Sequence, residues 1–80
     1  MKNILDCKEK EMNIIHSFSQ DINNDFANDL MDYGLLPGAT VIKYPNSSFS
    51  DKVILRIGDS IISIRKKDAE KIYIKENSTT

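Results

Sequence analysis

Eighty residues, 40% hydrophobic and 29% charged, suit one small globular domain and argue against a second domain or intrinsic disorder. A formal net charge of −1 argues against a nucleic-acid module, which needs a surplus of Lys and Arg on one face. The one cysteine, Cys7, cannot close an internal disulfide, and no apolar run approaches the ~20 residues that cross a bilayer. With an N-terminus, MKNILDCKEKEM, that lacks the apolar stretch of a signal peptide, a cytoplasmic chain without membrane insertion is expected.

Met12 to Phe18 (MNIIHSF) reads as a first strand. Met12, Ile14, His16 and Phe18 share one phase and Ile15 the other, an ambiguity expected where a strand bends or carries a bulge. Asp21 to Tyr33 (DINNDFANDLMDY) has the helical period, with Ile22, Phe26, Leu30 and Tyr33 on one stripe and Asp21 as the expected N-cap. Gly34 suits the left-handed residue that closes a helix, and Pro37-Gly38 suits a type II turn.

The rest reads as β: a strand over Ala39 to Tyr44, a loop over Pro45 to Asp51, and an alternating strand over Lys52 to Ile57. There Val53, Leu55 and Ile57 point one way. Gly58-Asp59 is a two-residue hairpin turn, and Ser60 to Arg65 is the return strand. Lys66 to Glu70 allows one helical turn, and Lys71 to Lys75 is a last strand with Ile72 and Ile74 inward. The ordered core is expected over about residues 5–75, with 76–80 a flexible tail. Five short strands with one short α-helix between strands 1 and 2 cannot stay as an open meander with two bare edges. The expected fold is therefore mainly β, a small barrel.

The segment Leu30 to Val41 (LMDYGLLPGATV) resembles the signature of the FeoA family. That signature is a helix ending in Leu, two residues later Leu-Gly-Leu, then any residue, Pro-Gly, two residues and Val. Gly58, Ile64-Arg65 and Ala69 also stand where the family has its hairpin glycine, its Leu-Arg and its Glu-Ala stretch. Tyr33 replaces the leucine before Gly34, and Lys10 stands where the family often has Gly. The resemblance implies an SH3-like barrel and a non-enzymatic accessory protein of ferrous-iron uptake. It also implies docking on a FeoB-type membrane transporter through its cytosolic domain, with no cofactor. The alternatives are a stand-alone regulatory domain related to the C-terminal domain of DtxR-type iron-dependent repressors, or a metal-binding homo-oligomer.

Expected partner-contact residues are Tyr33, Leu35 and Phe49, while Gly34, Pro37, Gly38 and Gly58 serve turns. Asp21, Asp25, Asp29 and Asp32 form an acidic helix face, with no Lys or Arg from Glu11 to Ile42 and a basic second half. Carboxylates at i and i+8 lie ~12 Å apart by helical rise, too far to converge on one ion, so the stripe reads as a solvated face. Cys7 and His16 are the only soft ligands and too few for a structural zinc site. Cys7, near an unstructured N-terminus, is expected to be a bystander. Ser47, Ser48 and Ser50 have no nearby base, which leaves no basis for nucleophilic catalysis.

Overall fold

The structure, a computed structural model, describes residues 2–75. The tail reading over 76–80 lies outside the described residues. A single 3-10 turn at Ile4–Asp6 precedes β1 (Met12–Phe18), α1 (Asn24–Asp32), β2 (Thr40–Tyr44), β3 (Lys52–Ile57), β4 (Ser60–Arg65), the one-turn α2 (Lys66–Ala69) and β5 (Ile72–Ile74). The strands form one antiparallel sheet in the order β4-β3-β2-β1-β5, the expected mainly β, SH3-like arrangement. β4 and β5 are its two ends and are not hydrogen-bonded to each other. The four-residue α2 joins them.

The mixed phase of β1 has a structural cause. Its first half pairs with β2 (Met12 opposite Ile42, Ile14 opposite Thr40) and its second half with β5. A register shift between Ile15 and Ser17 separates the two halves. Before the shift the strand alternates, with Met12 72% exposed and Ile15 fully buried; the extra residue of the bulge then lets Phe18, three residues on from Ile15, pack against the same core. In β3 and β5 the alternation holds without interruption: Val53, Leu55, Ile57, Ile72 and Ile74 are all buried.

The helix starts later than its periodicity suggests. Its N-cap is Asn23, whose Oδ1 accepts the Phe26 N–H at 3.0 Å, so the expectation of Asp21 as N-cap is corrected. The reason is competition. The Asp21 carboxylate accepts from the Ser19 hydroxyl and from Lys71 Nζ, the latter at 2.8 Å. The C-terminus matches expectation. The Gly34 N–H donates to Met31 O at 2.9 Å and the Leu35 N–H to Leu30 O at 3.0 Å, with Gly34 at φ +95°. This paired closure of a helix needs a left-handed residue at the Gly34 position. The turn over Leu36 to Ala39 follows, closed by the Ala39 N–H on Leu36 O at 2.9 Å, with Gly38 at φ +91°. It docks on β1, where Ile15 O accepts the Gly38 N–H at 2.8 Å.

The N-terminal segment is part of the fold, which corrects the expectation of an unstructured start. Asn3 Oδ1 caps the 3-10 turn by accepting the Leu5 N–H at 2.8 Å, and Lys2 O accepts the Ile74 N–H at 2.9 Å. Ile4 is fully buried and Cys7 is buried beside it in the main core, so the ordered region begins before residue 5. Isolated apolar side chains among charges carry no period, so the sequence does not announce this turn.

Candidate functional site

Of the three contact residues expected from the sequence, the fold presents two. Phe49 is 99% exposed at the tip of the β2–β3 loop, and Tyr33 is 52% exposed at the end of α1. Leu35 is 0% exposed and is removed from that set. The helix closure at Gly34 turns the Leu35 side chain back into the core, the hydrophobic contact that usually accompanies this motif. Gly34, Gly38 and Gly58 all have positive φ, as their turn roles require.

The acidic face is shorter than expected. Asp25, Asp29 and Asp32 project from α1 and are exposed, whereas Asp21 precedes the helix and pairs with Lys71. Hydrogen bonds from Lys71, then from Ser19, hold the Asp21 carboxyl below its ordinary range, and Asp21 holds the Lys71 ammonium above its own. No group of three or more His, Cys, Asp and Glu side chains is placed to hold a metal among the described residues. His16 is exposed with Nδ1 2.8 Å from Ser17 Oγ. Cys7 is buried and its S–H donates to Ile4 O at 3.1 Å, so the two soft side chains sit in different surroundings. Burial pushes the Cys7 thiol up, against a smaller lowering by Lys43, so it stays protonated at neutral pH.

Two surface depressions lie outside the sites expected from the sequence. One, of about 340 Å³, collects Lys43, Lys52 and Lys66 beside Asn46 and Ser47. Its lysines come from three elements, β2, β3 and α2, so no spacing within one element announces it. Lys43 is committed to the fold, since its Nζ donates to Leu5 O at 2.9 Å. The other, of about 330 Å³, runs between α1 and β4, with Phe26, Asp29, Leu30 and Tyr33 on the helix side and residues 61–64 on the strand side. A local signal for this second groove did exist. The return strand SIISIR has isoleucine on both faces, and Ile61 is 66% exposed on the outer one. No helix among the described residues is long and apolar enough to cross a membrane.

This geometry offers surfaces for contact and no cluster of reactive groups among the described residues. The family model of the FeoA domain matches residues 2–76. A comparison with curated proteins found no match. Among solved structures, the FeoA protein from Chlorobium tepidum is similar at 18% identity and TM-score 0.85, over 99% of this chain and 73% of that one. Iron(II) transport protein A from Clostridium thermocellum is similar at 18% identity and TM-score 0.78, over 92% of this chain. ScaR with bound Zn²⁺ is similar at 24% identity and TM-score 0.78, over 95% of this chain. This chain spans only 44% of the Clostridium thermocellum protein and 37% of ScaR, so the same fold there is part of a longer chain.

Proposed function

The chain belongs to the FeoA family, and from that premise we propose that it is a non-enzymatic accessory protein of ferrous-iron uptake. It works in the cytoplasm, docks on the cytosolic domain of a FeoB-type, GTPase-linked iron transporter and modulates it. The observation that carries this reading is the extent of the match, residues 2–76 of 80. Tyr33 and Phe49 are the proposed contact residues, because each exposes an aromatic side chain that folding leaves uncovered. Self-association is a further contact mode that the reading allows.

The test is direct binding between the full chain and a cognate FeoB cytosolic domain, in nucleotide-free, GDP and GTP forms. Salt-sensitive association with at least one form is expected, weakened by Phe49→Ser or Tyr33→Ser without loss of folding. No association with any form overturns the reading. A second reading, a stand-alone domain acting on a DtxR-type repressor, is favoured by the 24% identity to ScaR, above the 18% to the two iron-transport structures. A gene for a winged-helix repressor beside this one, and capture of that repressor by this chain, supports it. An adjacent transporter gene supports the first.

A further inference from the structure

Deepening the docking reading above, and resting on it, we infer that the groove between α1 and the free edge of β4 takes an extended basic peptide segment of a protein partner, added as a further strand beside β4. Three features meet there. The first is the edge itself. β4 ends the sheet and pairs with β3 alone among the described residues. The two-residue Gly58-Asp59 turn makes Ile57 and Ser60 a hydrogen-bonded pair, and by alternation Leu55–Ile62 and Val53–Ile64 are also such pairs. The main-chain N–H and C=O groups of Ile61 and Ser63 therefore face away from β3. No hydrogen bond from another element reaches them among the described residues. Their two-residue spacing is the repeat an added strand requires. No proline or bulge blunts the edge.

The second feature is the groove beside that edge, about 330 Å³, whose lining includes the apolar side chains of Phe26, Leu30, Tyr33, Ile62 and Ile64. Alternate side chains of an added strand point into it. The third is charge. Asp29 lines the groove, and Asp25 and Asp32 continue its stripe along the helix. None of the three has a salt-bridge partner among the described residues, where Lys71–Asp21 is the single ion pair. Such a rim selects Lys and Arg on the occupant and repels an acidic segment. A second copy meets the groove with an acidic α1 of its own, so a basic partner is the better complement.

The experiment titrates the isotope-labelled full chain with a nine-residue peptide of alternating lysine and valine, and with an alternating glutamate and valine control. Expected are amide shifts confined to residues 60–64 and 26–33, exchange protection of the Ile61 and Ser63 amides, and affinity that falls as salt rises. Asp29→Lys lowers that affinity about tenfold. Ser63→Pro removes an edge N–H without removing a β3 bond, and abolishes binding in a variant whose spectrum shows it folded. Shifts on another face, equal binding of the acidic peptide, an unaffected Asp29→Lys variant, or no binding at millimolar peptide each overturn the inference. So does self-association through residues 60–64, which assigns the edge to a second copy. Peptide capture without FeoB association overturns the transporter reading alone, and FeoB association mapped to a different face overturns the groove alone.

Discussion

Lys10 holds φ +66°, a left-handed conformation that an L side chain adopts at a cost of roughly 1–2 kcal/mol. Its N–H donates to Lys43 O at 2.8 Å, so β2 holds the residue in place. The family resemblance leads one to expect Gly at this position. Lys10→Gly is expected to stabilise by about 0.5–1 kcal/mol once the greater entropy of unfolded glycine is subtracted, measured by denaturant unfolding. Gly34 is the opposite case. A Cβ there would meet only ordinary contact, Ile57 Cγ2 at 3.6 Å, so the penalty is conformational and not steric crowding in the core. Gly34→Val is expected to destabilise by ~1–2 kcal/mol or more, and equal stability would contradict the helix closure. The Cys7 thiol, buried and bonded to Ile4 O, should react with a thiol reagent far more slowly in the native protein than in denaturant. Native labelling as fast as denatured labelling would mean that the N-terminal turn opens.

At the scale of the element, α1 depends on its caps, because nine residues are too few for an independently stable helix. Its burial is one-sided: Ala27 and Leu30 are buried, Phe26 half-buried, and the aspartates face water. Asn23→Ala removes the side chain that accepts the Phe26 N–H and is expected to cost about 0.5–2 kcal/mol, read by thermal or denaturant unfolding. Asp21→Ala should cost less, since its partners Lys71 and Ser19 are on the surface. The reverse order would place the helix start at Asp21, as its periodicity suggests. β1 shows how one element serves two neighbours. The shift at Ile15/Ser17 lets a seven-residue strand bridge β2 and β5.

Across the whole molecule the charge is divided, with acidic α1 against strands rich in Lys and Arg, and the one ion pair among the described residues, Asp21–Lys71, links the residues just ahead of α1 and of β5. The pair sets a sign for pH dependence. Asp21 has its carboxyl held below the ordinary value near 3.8, so its contribution is complete above that value and is lost as pH falls through the lower folded value. The Lys71 contribution is complete below 10.5 and is lost as pH rises through its raised folded value. Both groups face water, so the effect is small. Asp21→Asn should flatten the acid limb of stability below about pH 4 while leaving mid-range stability close to wild type. An unchanged acid limb would show that the pair does not form in solution.

What the amino-acid order determined by itself is whatever depends on neighbours in the chain. The alternation of Val53, Leu55 and Ile57, the Gly58-Asp59 turn, the Gly34 closure and the Pro37-Gly38 turn follow from local sterics and from side-chain periodicity. These features, in that order, were enough for the family and for a mainly β fold. Tertiary structure alone decided the rest, because it depends on residues far apart in sequence. Asp21 is drawn off the helix by Lys71, Cys7 is buried by the elements packed over it, and lysines from three elements share one depression. The groove of Phe26, Tyr33 and Ile62 exists only because the sheet's strand order leaves β4 at an edge beside α1. No spacing along the chain encodes which strand will be left without a neighbour.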